Sequence, residues 1–196
     1  MFRRISQKNI EYIKTPEDAY YYAQSIGKPV PELEDVIAQD PKWSFYYAED
    51  IIKGRFEGGE KTIAQDPELS YLYAADVIRG RFEEGEKTIA QNPYLSYCYA
   101  VDIIKGRFEE GENTIIEDPE WSYYYAERVI KGRFEEGEDA IAQDPELSYE
   151  YAVNIIKGRF EKGEDIIVED PYWSKEYAEK FDMKGEFGWE EEEEEE

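Results

Sequence analysis

The sequence predicts an all-α protein, an α-solenoid of about six and a half tandem helix-turn-helix repeats. Proline recurs every 26 residues from Pro41 to Pro171, and glycine recurs at the same interval from Gly54 to Gly158. Apolar residues within each copy are spaced as on one face of a helix. Helix pairs this short cannot bury their own apolar faces, so successive copies are expected to stack.

One copy, residues 66–91, indicates where the two helices of a repeat begin and end. Asp66 followed by Pro67 is typical of a helix start, with the aspartate as N-cap and the proline in the first turn. We expect this first helix to end at Gly80 in the left-handed conformation, after a cation that suits the negative end of the helix dipole. A shorter second helix is predicted over about residues 81–91.

The copies define three segments of the chain. Residues 1–14 precede the array and are predicted to cap it. The repeats occupy residues 15–183, with a degraded first copy that begins at Pro16 and is one residue short, and a last copy that stops after Phe181. Residues 184–196 form an acidic tail that ends in a run of glutamates and is expected to be disordered.

Several positions hold one residue type in every copy and are predicted to form the stacked core. Tyrosine lies six residues after each proline from Tyr47 to Tyr177 and is always followed by alanine. We interpret these tyrosines as buried rings whose hydroxyls bond a neighbouring repeat. A stacking platform for bases or other ligands is the alternative. Aliphatic residues ten and eleven positions after the proline are predicted to join this core.

The array resembles two kinds of helical repeat. The turn and second helix, as in residues 80–86 and Ile89, resemble part of a tetratricopeptide repeat, whose unit is longer, at about 34 residues. Residues 118–126 and 129–138 carry motifs that resemble short repeat arrays in bacteriophage and other viral reading frames. The second resemblance covers nearly the whole array. It implies a helical repeat fold and a viral origin, and it implies no catalytic residues.

Composition restricts the classes of partner. The chain has 23 Lys and Arg residues against 48 Asp and Glu residues, a formal net charge of -25. Phosphates would be repelled, which argues against direct binding to nucleic acid or to an anionic membrane and favours a basic partner. Cys98 has no second cysteine in the chain to pair with, and no apolar run is long enough to span a membrane. We therefore expect a cytosolic protein, in the host-cell cytosol if the origin is viral.

Carboxylates that recur in the second helices are one candidate binding site. In a stack they would form rows with about 10 Å between repeats, given usual helix packing distances. Such rows can imitate the phosphates of a duplex and contact a basic partner. Alternatively, they pair with basic residues such as Lys105 and Arg107 in a salt-bridge ladder between adjacent repeats. The rows consist of Glu57, Glu60, Glu83, Glu86, Glu109, Glu112, Glu135, Glu138, Glu161 and Glu164.

A second candidate site is the side of the first helices on which the copies differ. Residues one, five, eight and nine positions after the proline vary and share one side of the helix. They combine carboxylates with more aromatic residues than solvation requires, and repeat proteins commonly bind partners through such a surface. A solvated face without a binding role is the alternative. The candidates are Tyr46, Glu49, Asp50, Asp76, Tyr94, Asp102, Glu120, Tyr124, Glu127, Glu150 and Tyr172.

No catalytic, cofactor-binding or metal-binding residue is predicted. The chain has no EF-hand, Walker or dinucleotide-binding loop, and zinc sites and Ser-His-Asp triads need residues that it lacks. We predict a non-enzymatic acidic binding protein, first of all a phage-type inhibitor (for example an anti-CRISPR protein). It would block a basic nucleic-acid-binding defence protein of the host by nucleic-acid mimicry. The alternatives are an adaptor or scaffold that binds a protein or peptide through the variable face, and a self-assembling rod. The target and the oligomeric state stay open.

Overall fold

Helices are the only regular elements in the described part of the chain, residues 7–183 with residues 185 and 187 of the computed structural model. They recur with a period of about 26 residues and pack against their neighbours, which confirms the predicted α-solenoid. A 3-10 helix, Gln7–Tyr12, lies in the segment that was predicted to cap the array. Residues 1–6 of that segment and the glutamates of the tail lie outside the described residues. We number the repeats 1 to 7 by their prolines at 16, 41, 67, 93, 119, 145 and 171.

The first helices of repeats 2 to 7 begin at an Asp-Pro or Asn-Pro pair, as predicted. The side chain of Asp66 accepts a hydrogen bond of 2.9 Å from the N–H of Leu69. Such caps satisfy donors that a helix N-terminus otherwise leaves unpaired. The α-helical parts of the first helices are Pro16–Ile26, Pro41–Tyr46, Pro67–Leu72, Pro93–Cys98, Pro119–Tyr125, Pro145–Glu150 and Pro171–Phe181.

The second half of the first helix is π-helical in repeats 2 to 6, which the sequence pattern does not predict. Twelve steps separate Pro41 from the left-handed Lys53, against eleven from Pro16 to the left-handed Gly27 in repeat 1. A helix accommodates one inserted residue by widening into a π turn. Repeats 1 and 7, which lack the insertion, stay α-helical. The π segments are Tyr47–Ile52, Tyr73–Ile78, Tyr99–Ile104, Ala126–Ile130 and Tyr151–Ile156.

The residue that ends each of these helices in the left-handed conformation is a cation, so the prediction of a left-handed Gly80 is wrong. Arg79 has φ of 57°, and the equivalent Lys53 has φ of 58°. The N–H groups of Lys53 and Gly54 both bond to the carbonyl of Ala48, so the chain reverses at the lysine. The left-handed region costs a non-glycine residue about 1–2 kcal/mol. A cation at the helix C-terminus offsets part of that cost.

The second helices are shorter than predicted, at seven residues in the typical repeat. The predicted helix over residues 81–91 is observed as Glu83–Ile89, because Phe82 before it is extended and buried. In repeat 5 the first turn is 3-10 rather than α-helical. The second helices are Pro31–Ile37, Glu57–Ile63, Glu83–Ile89, Glu109–Ile115, Glu135–Gly137 continued by Glu138–Ile141, and Glu161–Glu169.

The core consists of the residues that are invariant among the copies, with one exception. The tyrosine and alanine of the first helices and the phenylalanine and isoleucine of the second helices are buried throughout. The aliphatic residues ten and eleven positions after the proline, such as Ile51 and Ile52, are only half-buried. They lie in the π segments, and a seven-residue second helix, about 10 Å long, is too short to cover both halves of the first helix.

Contacts divide the chain into two compact units, Met1–Gly111 and Glu112–Glu196, which we call unit 1 and unit 2. In unit 1 each first helix packs on the first helix of the next repeat, and successive π segments also pack on each other. In unit 2 the last helix, Pro171–Phe181, packs on the second helix of repeat 6.

The last repeat extends beyond the predicted end at Phe181. The ring of Phe187 lies 5.5 Å from the ring of Tyr177, and the pair of Tyr151 and Phe160 in repeat 6 has a centroid distance of 5.0 Å. The sequence indicates this continuation of the repeat, because residues 184–187, KGEF, are similar to residues 157–160, KGRF. The tyrosine of repeat 7 thus also packs against a phenylalanine ring.

A glycine in the second helix lets that helix approach the first helix of its own repeat. A Cβ added to Gly85 would lie 2.6 Å from Cδ1 of Phe82 and 2.8 Å from Cβ of Ser70. Ser70 is itself buried, and its hydroxyl donates to the carbonyl of Ile63 at 3.1 Å. A methyl group at residue 85 therefore forces the two helices apart.

We expect Gly85→Ala to lower the free energy of unfolding by about 1–3 kcal/mol, as overpacking does in a filled core. Urea denaturation of the purified variant measures the loss. Gly106→Ala is the matched control, because a Cβ at Gly106 meets nothing within 4 Å and its φ is not positive. Equal stability of the two variants would contradict this packing.

Candidate binding surface

The buried tyrosine of each first helix bonds the second helix of the preceding repeat. The hydroxyl of Tyr99 accepts a hydrogen bond of 2.8 Å from the N–H of Phe82 and donates one of 2.9 Å to Glu86. Both oxygens of Glu86 also accept bonds from Arg81, at 2.8 and 2.7 Å. We call this set of four residues a tyrosine relay.

The relay recurs along the array and confirms the interpretation that each tyrosine is structural. All six tyrosine rings are fully buried, which leaves no ring face for stacking on a base. In repeat 1, Val30 and Glu34 take the places of the phenylalanine and glutamate. Tyr125 donates to Glu112 at 2.7 Å. The other relays join Tyr73 to Phe56 and Glu60, Tyr151 to Phe134 and Glu138, and Tyr177 to Phe160 and Glu164.

Half of the predicted acidic rows lies inside these relays. Glu60, Glu86 and Glu138 are 5%, 6% and 1% exposed, and Glu112 and Glu164 are half-buried. The predicted role of Glu60, Glu86 and Glu138 as surface contacts for a partner is therefore wrong, because these carboxylates are buried and bond a tyrosine of the same array. For Glu112 and Glu164 it stays a prediction.

The predicted salt-bridge ladder between adjacent repeats is found in part. Within each relay the arginine pairs with a glutamate of its own repeat, and the tyrosine makes the link to the next repeat. Lys162 of repeat 6 does form ion pairs with Asp139 and Glu138 of repeat 5, at 2.7 and 3.6 Å.

The other half of the rows is exposed. These glutamates stand at the first position of each second helix, where the helix dipole favours a negative charge. They point to solvent, and their role in binding a partner stays a prediction. They are Glu57, Glu83, Glu109, Glu135 and Glu161.

Electrostatics stabilises the ionised form of three relay glutamates, Glu60, Glu86 and Glu164. Burial by itself raises the pKa of Glu86, but the hydrogen bonds from Arg81 and Tyr99 and the arginine charge outweigh it and lower the pKa below its ordinary value. The same balance lowers the pKa of Glu60. Burial and the nearby carboxylate raise the pKa of the relay tyrosines, to about 12 for Tyr47, so these hydroxyls stay protonated and can donate.

The variable side of the first helices lies at the surface, as predicted. Of its eleven candidate residues, Tyr46, Tyr124 and Glu150 are half-buried. The remaining eight are exposed: Glu49, Asp50, Asp76, Tyr94, Asp102, Glu120, Glu127 and Tyr172. Tyr94 and Tyr172 are the most open of the aromatic candidates, at 51% and 62% exposure. Tyrosine is enriched at protein interfaces relative to the rest of the surface.

In unit 1 this side carries an aromatic cluster that the sequence analysis did not identify as a whole. The ring of Trp43 lies 5.2 Å from Tyr20, 5.5 Å from Tyr21 and 6.2 Å from Tyr46. The ammonium of Lys42 stands 4.7 Å from the centroid of Trp43. Tyr20 and Tyr21 belong to the degraded first copy, four and five positions after its proline. They can be identified from the sequence by aligning that copy with the others.

The aspartates nine positions after the proline line one border of the side in unit 1. Asp50 accepts a hydrogen bond of 2.5 Å from the hydroxyl of Tyr20, and Asp102 one of 2.8 Å from Tyr71. Phe45 stands 31 residues before Asp76, as Tyr71 stands before Asp102, but Phe45 has no hydroxyl to donate.

Asp76 instead lines a polar groove of about 530 Å³ with Glu49, Lys53, Gly54, Val77 and Arg79. Partial burial raises the pKa of Glu49, and the charges of Asp50 and Asp76 raise it further. Carboxylates in this groove therefore repel one another. A cation placed among them from outside would relieve that repulsion.

In unit 2 the same side is aromatic at two places and acidic between them. Tyr124 packs on Trp121 and Tyr123, with centroid distances of 5.9 and 5.5 Å. Tyr172 lies 4.7 Å from Trp173. Glu120 lies on the first helix of repeat 5 beside Trp121, and Glu146 and Glu150 lie on the first helix of repeat 6, between the two aromatic places. Glu127 forms an exposed ion pair of 3.3 Å with Arg128.

The described residues show neither a metal-binding cluster nor a membrane span. Within residues 7–183, no three Cys, Asp or Glu side chains are grouped so that they could hold a metal ion. None of the helices that the structure describes is long and apolar enough to cross a bilayer.

We expect Tyr99→Phe to lower the free energy of unfolding by about 1–3 kcal/mol, because the buried N–H of Phe82 loses its acceptor and Glu86 loses a donor. Chemical denaturation measures the change. Tyr12→Phe removes a hydroxyl from a tyrosine that is 74% exposed in the same unit, and serves as control. A Tyr99→Phe variant as stable as Tyr12→Phe would show that the relay contributes nothing.

The lowered pKa of Glu86 predicts a pH-dependent contribution to stability. A carboxyl whose pKa is lower in the folded chain stabilises it fully above the unfolded value of about 4.5 and loses this effect as pH falls through the folded pKa. The stability difference between wild type and Glu86→Gln should therefore be constant near neutral pH and shrink below about pH 4.5. Urea denaturation across pH measures it, with the exposed Glu83→Gln as the control for loss of one charge. A difference that grows on acidification would contradict the assignment.

No family model, curated protein or solved structure matches the chain. The resemblance to tetratricopeptide repeats and to phage repeat arrays therefore stays a prediction from the sequence.

Proposed function

We propose that this chain is a non-enzymatic helical-repeat protein that binds a basic protein partner through the variable side of its first helices. The observation that carries the proposal is the combination of exposed aromatic rings and carboxylates at the positions that the fold leaves free to vary. Tyr94 and Tyr172, for example, stand in the first turns of their helices, where no core contact requires an aromatic residue. Aromatic anchors within a polar rim are typical of protein interfaces.

The charge of the chain supports a basic partner over other ligands. A formal net charge of -25 attracts a positively charged surface over a distance and accelerates its association, and it repels phosphate. The relay pairs are internally neutral. The uncompensated carboxylates therefore include those on the variable side and at the starts of the second helices, where a partner can reach them. The cytosol is the proposed compartment, on the grounds of the single Cys98.

A narrower hypothesis is a phage-type inhibitor that blocks a nucleic-acid-binding defence protein of the host by mimicry. It draws on the exposed row from Glu57 to Glu161 and on the resemblance to phage arrays. The five relay glutamates give this hypothesis less support, because they form hydrogen bonds within the array. One exposed glutamate of the predicted pair remains in each of repeats 2 to 6. The variable side offers anchors that mimicry of phosphate does not require, so we rank this hypothesis second. A self-assembling rod is a further alternative.

Two sets of substitutions separate these hypotheses without disturbing the relays. One set is Tyr94→Ser with Tyr172→Ser, one aromatic residue in each unit. The other set is Glu83→Gln, Glu109→Gln and Glu135→Gln, which neutralises part of the exposed row. Partners are captured from lysate at low and high salt, identified, purified and titrated against each variant.

We expect the aromatic set to weaken binding more than tenfold, as loss of interface anchors does, and the glutamine set to weaken it only a few-fold. Competition by DNA together with loss of binding in the glutamine set would favour mimicry. A purified partner that binds both sets as tightly as wild type would refute the proposed surface.

A further inference from the structure

The fifth position after the proline forms an apolar stripe along the variable side of unit 1. It is occupied by Tyr21, Tyr46, Leu72 and Cys98 in repeats 1 to 4. Tyr21 and Leu72 are 45% and 37% exposed, and the other two are half-buried. In unit 2 the position begins with Tyr124 and continues with Glu150 and Glu176. Four of the five consecutive non-acidic residues at this position therefore lie in unit 1.

Carboxylates line the stripe on the side toward the C-termini of the first helices. Asp50, Asp76 and Asp102, nine positions after their prolines, are exposed there. Glu49, one position before Asp50, is also exposed and lines one groove with Asp76. An apolar stripe beside an acidic border is complementary to a segment that carries apolar residues on one face and cations beside them.

The same surface already holds a cation of its own chain. The ammonium of Lys42 stands over the ring of Trp43, next to Tyr21 and Tyr46. The face of an aromatic ring attracts cations electrostatically. The cluster at the start of the stripe is thus suited to lysine or arginine side chains as well as to apolar ones.

The spacing of the stripe indicates the conformation of its ligand. Adjacent first helices pack together in unit 1, so successive stripe residues lie about 8–10 Å apart. An α-helix advances about 10 Å in seven residues and returns to nearly the same face. An extended segment covers that distance in about three residues, which places every second contact on its opposite face. Helical periodicity matches the stripe and strand periodicity does not.

We propose that the variable side of unit 1 binds a cationic amphipathic helix, whose apolar residues at seven-residue intervals lie on the stripe and whose lysines and arginines meet the carboxylates beside it. This rests on the proposed function and specifies the partner for one unit. Binding of these lysines and arginines would reduce the electrostatic repulsion among the carboxylates of Glu49, Asp50 and Asp76.

The test uses two labelled synthetic peptides of identical Leu, Lys and Ala composition. One has an amphipathic helical pattern and the other is scrambled, and both are titrated by fluorescence anisotropy against the full chain. We expect the amphipathic peptide to bind at least tenfold more tightly. Leu72→Glu should remove this preference, because it places a charge in the middle of the stripe. Glu150→Gln, a change at the same repeat position in unit 2, should keep it.

The possible outcomes distinguish this inference from the proposed function. If both peptides bind equally and more tightly than a neutral peptide, the basic-partner proposal stands and the amphipathic-helix inference is overturned. If neither binds better than the neutral peptide, both fail. Retained preference in a folded Leu72→Glu variant, with circular dichroism as in wild type, would place the peptide elsewhere and overturn the inference too.

Discussion

The array depends on the bond between a buried tyrosine hydroxyl and the start of the preceding second helix. Phe82 is extended and buried, so its N–H needs an acceptor that no helix provides. Tyr99 supplies it and in turn donates to Glu86, whose remaining capacity is filled by Arg81. Each residue of the relay provides a hydrogen-bond partner for another residue of the relay. Replacing any one of them therefore leaves a buried polar group unpaired. This mutual dependence explains why the four residue types are the same in nearly every copy.

The relays also decide where the sequence is free to vary. A first helix points its tyrosine and alanine into the stack and its buried serine at the glycine of the second helix. The opposite side has no contact that recurs in every repeat, although Asp50 and Asp102 there each accept a hydrogen bond from a tyrosine of the preceding repeat. The stack therefore restricts the residue type less on this side than in the core. A repeat protein of this kind can therefore alter its binding surface one repeat at a time.

Sequence reasoning predicted what depends on periodicity and on local capping. The fold class, the Asp-Pro helix starts and the buried tyrosines were all evident, because each recurs at a fixed interval and has one dominant physical explanation. The π turn was not predicted. The one-residue difference between the first copy and the others is visible in the sequence, but an insertion may lengthen a loop as easily as a helix. Because the π turn moves the end of the helix, the left-handed residue is Lys53, before Gly54, and this was not predicted either.

The fate of the two glutamate rows shows why repetition alone does not identify a binding site. Glu83 and Glu86 are equally regular and lie three residues apart on one short helix. One is exposed and the other is buried, because only Glu86 faces both Arg81 and the tyrosine of the next repeat. No composition or spacing argument separates them without the position of that tyrosine. Once the buried glutamates are set against their arginines, the net negative charge is unchanged, while the carboxylates that a partner can reach are fewer and more localised. The acidic character of the chain is therefore a property of particular surfaces, and in unit 1 one of those surfaces is also apolar.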